Sequence, residues 1–356
     1  MTDGGEMPRT IVVTGAAGFI GGNLVRHWRA AEPADTIIAI DALTYAGDLR
    51  NLAGLEGEIE FAHADIGDEE RMLALLGGRE IDVVVNLAAE SHNSLAVVEP
   101  ERFFRTNVLG TQVLLDVCRR VGVGRFHHVS TCEVYGDLPL DAAEGFSETS
   151  PYRPNTPYSA SKAGADHLVR AYHSTYGMPV TISNCANNHG PYQFPEKVLP
   201  LFVTNALAGR PLPMYASTRS RREWISVADH CAAIAAIVER GTDGATYHVG
   251  TGEEASIEEL ADLVLDELAL PASLKTVVPD RPGHDRRYLL DARRIRQELG
   301  WHPAVPFETG IRETIRWYRD HRSWWEPLLS RRLVTEDAWP DHPAARQREE
   351  AGRRKP

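Results

Sequence analysis

Cysteine is scarce in this chain. Cys118, Cys132, Cys185 and Cys231 are the only four in 356 residues. They form no CxxC pair and no zinc-like spacing, so a disulfide framework and a thiolate metal site are both excluded, and a reduced compartment is expected. Positive charge is also short: 38 Lys and Arg stand against 50 Asp and Glu, a net −12. Such a protein is a poor electrostatic match for nucleic acid or an anionic membrane, and any anionic substrate has to be met by locally clustered cations. Long apolar runs are missing. The strongly apolar stretch Ala232–Val238 is far too short to span a bilayer, and the opening MTDGGEMPRT does not read as a signal peptide. A cytoplasmic protein with no membrane or nucleic-acid partner is expected. There is no internal repeat.

What is present is an ordinary globular composition, 43% hydrophobic and 25% charged, in a chain long enough for two domains and a large core. Short runs rich in Val and Ile, apolar on consecutive positions, occur at Thr10–Thr14, Thr36–Asp41, Ile59–His63, Asp82–Leu87, Arg125–Ser130 and Val180–Asn184. That is the pattern of parallel strands buried on both faces. Amphipathic segments at Ile20–Ala31, Asp68–Leu76 and Arg102–Val121 alternate with them, which predicts an α/β, doubly wound parallel sheet of the Rossmann type. After about residue 185 the Asn-, Gly- and Pro-rich stretch NCANNHGPYQFPEK leaves the sheet. The predicted division is a dinucleotide-binding domain over 1–184, with 223–250 returning to it. A smaller α/β substrate domain takes 185–222 and 251–330, with helices at Ser256–Leu268 and Phe307–His321, and a mobile tail runs over 331–356.

The first strand runs into Gly15-Ala-Ala-Gly18-Phe19-Ile20-Gly21 and then a helix. In that context Gly15 allows a tight turn, Gly18 admits a pyrophosphate to the helix N-terminus, and Gly21 lets helix and strand pack closely. Asp41 ends the second strand, where a carboxylate accepts hydrogen bonds from an adenosine ribose and repels a 2′-phosphate, so NAD is favoured over NADP. Asp65 either faces the adenine or caps its strand. Tyr158 and Lys162 are four residues apart on a predicted helix, hence on one face. A cation beside the phenol favours phenolate, the base needed when an alcohol gives up a hydride to a nicotinamide. None of the 14 histidines shows metal spacing. His127 and His128 are expected to straddle the sheet, and no metal is predicted.

The GxxGxxG loop and the Tyr158/Lys162 pair resemble the extended short-chain dehydrogenase/reductase superfamily. Asp41-Ala-Leu-Thr-Tyr-Ala-Gly47, Leu87-Ala-Ala-Glu-Ser-His92, Glu133-Val-Tyr-Gly136, Asn184 through Lys197, and Arg281-Pro-Gly-His-Asp285 are together similar to the dTDP-glucose 4,6-dehydratase family, over about residues 9 to 328. The resemblance implies a homodimer that holds NAD and acts on a dTDP- or UDP-hexose. It implies further cofactor contacts at Ile66, Leu87, Ala88, Ala89 and Ser130. Thr131 would bond the sugar C4 oxygen and Glu133 would remove the C5 proton. Ser91, Asn187, Lys197, Arg222, Arg281 and His284 would line the substrate side, the arginines with His284 holding the diphosphate.

Two departures stand out. The family has Thr-Asp-Glu where this chain has Thr131-Cys132-Glu133, so the acid that expels water is replaced by a thiol, a protonated but different donor. The family has Val-Asp-Arg where this chain has Asn93-Ser94-Leu95. The Thr-Cys-Glu stretch is similar to the UDP-N-acetylglucosamine 5,6-dehydratase of tunicamycin biosynthesis, in which hydride returns to C4, and to plant UDP-apiose/xylose synthase. The expected activity is a nucleotide-sugar 4,6-dehydratase. The alternatives are a 5,6-dehydratase, a C4 or C5 epimerase, a decarboxylating synthase (against which Leu95 in place of arginine speaks), and a catalytically silent nucleotide-sugar-binding scaffold.

Overall fold

The structure, a computed structural model, describes residues 7–217 and 220–333. Its centre is a seven-stranded parallel sheet of β1 (Thr10–Thr14), β2 (Thr36–Asp41), β3 (Glu60–His63), β4 (Val83–Asn86), β5 (Arg125–Thr131), β6 (Val180–Cys185) and, after three further strands, β10 (Thr246–Val249), in the order β10-β6-β5-β4-β1-β2-β3. Both faces are covered, which is why neighbouring positions are apolar. Ile11 and Val13 pack with Trp28 and Ile37 on one side, and Val12 packs with Ile38, Leu114 and Phe126 on the other. The six strand segments read from the sequence are all present, within a residue at either end.

The helices that wrap the sheet are α1 (Phe19–Ala31), α2 (Glu69–Leu76), α3 (Asn93–Val98), α4 (Pro100–Phe104), α5 (Thr111–Val121) and α6 (Pro157–Tyr176). The predicted single helix over Arg102–Val121 is interrupted by a π-helical turn at Arg105–Gly110. The wider turn brings Asn107 inward. Its amide bonds the Glu90 backbone (2.8 and 3.0 Å) and Ser161 (2.8 Å), while Gly110 lies against Ile66. Helix α6 starts sharply because Thr156 caps it reciprocally with Ser159 and Pro157 takes the first helical position. Tyr158 therefore sits at a fixed point on the first turn.

The second layer holds β7 (Asn187–His189), β8 (Leu212–Tyr215), β9 (Arg221–Ser226), β11 (Glu254–Ser256), β12 (Lys275–Val278) and β13 (Arg287–Tyr288). With them go α7 (Val198–Leu207), α9 (Ile257–Glu267) and α11 (Phe307–Asp320), while α8 (Val227–Arg240) packs against α1 and α10 (Arg293–Leu299) against β10 of the main sheet. Its core gathers Phe202, Leu260, Ile311, Tyr318 and Trp325. Two readings need correction here. Of 223–250, only α8 and β10 return to the main sheet. Glu223–Ser226 lies in β9, which pairs with β7, β11 and β13, and the Glu223 carboxylate accepts from Gly252 N (2.7 Å) and Leu290 N (2.9 Å) in that layer. The tail does not begin as a loose end at 331. Arg331 bonds Asp48 (2.9 Å) and the Gly47 carbonyl (2.9 Å), and Arg332 bonds the Pro195 carbonyl (2.6 Å). Residues 334–356 lie outside the described residues.

A methyl group on Gly21 would stand 2.1 Å from the Gly15 carbonyl oxygen, backbone that cannot retreat without opening the β1–α1 turn. Gly21→Ala is expected to cost about 1–3 kcal/mol and to lower the dinucleotide content of the purified protein. Thermal melts and absorbance of the released nucleotide check both.

Candidate active site

The carboxyl ends of β1, β2, β4 and β5 open into one cavity of about 390 Å³ that reaches the second layer. The strand order reverses between β1 and β4, so the connections on either side diverge and leave a crevice. Thr14 ties the crevice together, donating to Asn86 (2.7 Å) and accepting from Ala88 N (3.2 Å). Gly15 adopts φ +66°, and a Cβ there would lie 2.8 Å from Ala88 N, so only glycine lets the loop lie so close to β4. Gly18 precedes α1 with no side chain over its free N–H groups. Gly15, Gly18, Phe19, Ile20 and Gly21 all line the cavity, as do Leu87, Ala88 and Ala89. This is the cradle a dinucleotide pyrophosphate requires.

Asp41 sits at the cavity wall with both oxygens already accepting backbone N–H bonds, from Ala17 (2.9 Å) and Leu43 (2.7 Å). These fix the carboxylate and leave a second lone pair on each oxygen for a ribose. Burial pushes its pKa up, against those two bonds. Asp65 accepts from Gly67 N (2.8 Å), closing the turn after β3, and it lines the cavity beside Ile66.

The reacting groups converge from two elements. Thr131 ends β5 and caps the short helical turn Cys132–Tyr135, accepting from Glu133 N (3.3 Å). Tyr158 and Lys162 come from α6, and Ser130, Thr131, Glu133, Tyr158 and Lys162 all line the cavity. Lys162 Nζ donates to the Val129 carbonyl (2.8 Å) and lies 3.2 Å from His128 Nε2. Burial lowers its pKa to about 8. The expectation of a phenol lowered by its cation is not met by the chain's own groups. Burial, then the Glu133 charge, push Tyr158 well up, and only its hydrogen bond with Thr131 pulls it down. The histidines do straddle the sheet. His127 bonds Thr181 and Ser183, whereas His128 faces Asn86 and Lys162.

Glu133 accepts from Asn93 Nδ2 on both oxygens (3.1 and 3.0 Å). Burial raises its pKa, opposed by Arg281 and then Asn93. Cys132 is only 1% exposed and packs with Val134, Tyr135, Ala163, Tyr288 and Leu290 rather than on the cavity wall. Burial and the adjacent Glu133 hold its thiol protonated. The cysteine on the wall is Cys185, its pKa raised to about 12.

On the substrate side, Ser91, Asn187 and Lys197 reach the cavity, with Lys197 Nζ on the Ser91 carbonyl (2.5 Å). Arg222 and His284 form a separate cluster off the wall. Arg222 donates to His284 Nε2 (2.9 Å) and the Asp285 carbonyl (2.6 Å), and lies over the Tyr288 ring. His284, its pKa lowered to about 3 by burial and then the two arginines, is neutral and donates from Nδ1 to Ser217 (3.0 Å). Arg281 Nε and Glu196 Oε2 are buried with no hydrogen-bond partner, the latter 3.7 Å from His92 Nε2. Sequence reasoning did not single out Tyr45, Glu90, Cys185 and Glu196 as site residues, and it named Asn93 only as part of the Asn93-Ser94-Leu95 departure. Their only signal was membership of stretches already quoted for other reasons.

The family model of GDP-mannose 4,6 dehydratase matches residues 12–314. The chain is 46% identical over 340 residues to the dTDP-glucose 4,6-dehydratase of Xanthomonas campestris pv. campestris, covering 90% of this chain and 96% of that protein. Among solved structures, DesIV, a dTDP-glucose 4,6-dehydratase from Streptomyces venezuelae solved with NAD bound, is 47% identical and superposes with a TM-score of 0.87 over 90% of this chain and 99% of that one. The Bacillus anthracis dTDP-glucose 4,6-dehydratase in complex with NAD is 38% identical, with a TM-score of 0.84 over 90% and 99%.

All four cysteines are buried, and those at 118, 132, 185 and 231 all have raised pKa values. Iodoacetamide at pH 8 is expected to leave the native protein unmodified and to add four groups after denaturation, as read by intact mass. Rapid native labelling at Cys132 would instead put that thiol on the cavity surface.

Proposed function

The chain belongs to the GDP-mannose 4,6 dehydratase family, and from that premise we propose that it is an NAD-dependent hydro-lyase that converts dTDP-glucose to its 4-keto-6-deoxy product. One observation carries the reading: Thr131, Glu133, Tyr158 and Lys162 share a single cavity with the Gly15–Gly21 cradle and Asp41. The cradle and the half-used Asp41 oxygens fit NAD with an unmodified ribose. Gly15–Gly21, Asp41 and Leu87–Ala89 would hold NAD there, and it would supply the hydride acceptor and donor that the oxidation at C4 and the reduction at C6 require.

In this reading the chain's own groups move the protons. Thr131 orients the C4 oxygen, Tyr158 accepts the proton of the C4 hydroxyl, and Lys162 stabilises the phenolate from the next turn. The resulting ketone acidifies the C5 hydrogen, which the Glu133 carboxylate removes. The departing C6 hydroxyl takes up the proton that Glu133 removed from C5, since Cys132, the acid expected from the sequence, is buried off the cavity wall. Lys197 and Asn187, with Arg222, Arg281 and His284, meet the nucleotide diphosphate, and the orphaned Arg281 Nε supports that assignment. The thiol also supports a second reading, a 5,6-dehydratase in which hydride goes back to C4.

Incubation with dTDP-glucose deuterated at C4 separates these. Loss of water with deuterium in a new methyl group is expected. Alkene signals with deuterium still at C4 establish the 5,6-dehydratase, and no loss of water with bound NAD never reduced leaves a silent scaffold. Tyr158→Phe is expected to slow turnover by about 10²–10⁴-fold.

We assign the working protein to the cytoplasm, which its four unpaired cysteines suit, and among the described residues no helix is long and apolar enough to cross a membrane. We also assign a homodimer. Phe104 (42% exposed), Leu109 (58%) and Tyr176 (55%) leave apolar surface on α4, the π-helical turn and α6. Sedimentation is expected to show a dimer, and Leu109→Lys with Phe104→Glu a monomer.

A further inference from the structure

We propose that Asn93 is the positioning residue of the Glu133 carboxylate, an uncharged strut that ties the base to the start of the helix carrying Tyr158. The proposal rests on the reading of Glu133 as the C5 base. Asn93 is the first residue of α3, on neither of the elements it joins. Its amide nitrogen meets both Glu133 oxygens, at 3.1 and 3.0 Å, and its amide oxygen accepts from Thr156 Oγ1 at 3.2 Å.

The direction of each bond follows from the network. An ionised Glu133 only accepts, so the Asn93 amide nitrogen faces it and the amide oxygen is left to Thr156. Thr156 Oγ1 accepts from Ser159 N (3.1 Å) and shares its proton between Asn93 Oδ1 (3.2 Å) and Ser159 Oγ (2.9 Å). Thr156 is the cap of α6, two residues before Tyr158. The group that takes the C4 hydroxyl proton and the group that takes the C5 proton are thus spaced by one short chain of hydrogen bonds, Thr156–Asn93–Glu133. Their two target atoms are adjacent on one sugar ring.

An amide suits the position because it donates without charge and without a proton to exchange, so the base role stays with Glu133 alone. A carboxyl in its place would share a proton with Glu133, and an alkyl group would offer no donor. Other charges reach Glu133 from elsewhere: the cations Arg222 and Arg281 and the anion Asp285, with Lys197 coupled to it in turn. Its neutral neighbours include Cys132, Tyr158, Cys185 and Tyr288. Those cations remain when Asn93 is replaced, so what is lost is the fixed orientation and a directed bond to the ionised form.

The test uses the NAD-loaded full chain, wild type against Asn93→Val, with Asn93→Asp as a near-isosteric second variant. The first readout is the infrared titration of the Glu133 carboxyl, assigned by its disappearance in Glu133→Gln. Loss of the donor disfavours the carboxylate, so its pKa is expected to rise by about one to two pH units in Asn93→Val. The second readout separates the steps on dTDP-glucose. C5 hydrogen exchange with deuterated water near neutral pH is expected to fall about 10- to 100-fold, its acid limb moving to higher pH, and further in Asn93→Asp. Single-turnover appearance of NADH, the Tyr158 step, is expected to change less than about threefold.

An infrared titration that coincides with wild type, or oxidation and exchange falling together in both variants, overturns the proposal. If the infrared shift appears but the wild type releases no water from dTDP-glucose, the strut stands and the substrate reading falls.

Discussion

Burial of the central sheet on both faces is the constraint from which the rest of the molecule follows. Seven strands whose side chains pack above and below leave only the sheet edges and the strand ends to meet solvent or ligand. Parallel pairing puts all the carboxyl ends on one rim, and the reversal of order between β1 and β4 opens that rim into a crevice. Everything chemical hangs from it: the glycine turn after β1, Asp41 after β2, Asp65 after β3, Ala88 after β4 and Thr131 after β5. The second layer closes the crevice from the far side with Asn187 and Lys197.

The electrostatics of that crevice run against the charge of the whole chain. A protein of net −12 concentrates Lys162, Lys197, Arg222 and Arg281 in and beside that crevice. The same low-polarity setting that strengthens these interactions raises the pKa of Glu133, Cys132 and Tyr158 in the protein alone. Ionised forms there are sustained by specific donors rather than by solvent. Asn93 Nδ2 is one such donor to Glu133.

The parts of the site carried by local rules were legible before any coordinates. A Gly15-x-x-Gly18-x-x-Gly21 loop between a strand and a helix has one mechanical use, and a tyrosine and lysine four apart share a face of a helix whatever surrounds them. The π-helical turn at Arg105–Gly110 was not legible, because the reason for it, Asn107 reaching Glu90 and Ser161, lies in residues distant in sequence. Nor was the place of β9, which reads as another buried strand and joins a different sheet only because β7, β11 and β13 offer it partners. The surroundings of Asn93 and Cys132 were not legible for a related reason: a residue type states what a group is able to do, and its neighbours decide what it does.

The amino-acid sequence by itself determined the class of fold, the cofactor loop, the tyrosine–lysine pair and the acidic, cysteine-poor character of the surface, since each depends on spacing along the chain or on composition. The tertiary structure alone decided which cysteine faces the cavity, which cations stand near Glu133, and that Asn93 is hydrogen-bonded between Glu133 and Thr156 at the start of α6. Those are properties of distance and burial between segments 40 or more residues apart in several cases, as between Asn93 and Glu133. Hydrogen bonds and desolvation act over a few ångströms of space, and no pattern along one dimension encodes which distant residues will be brought within them.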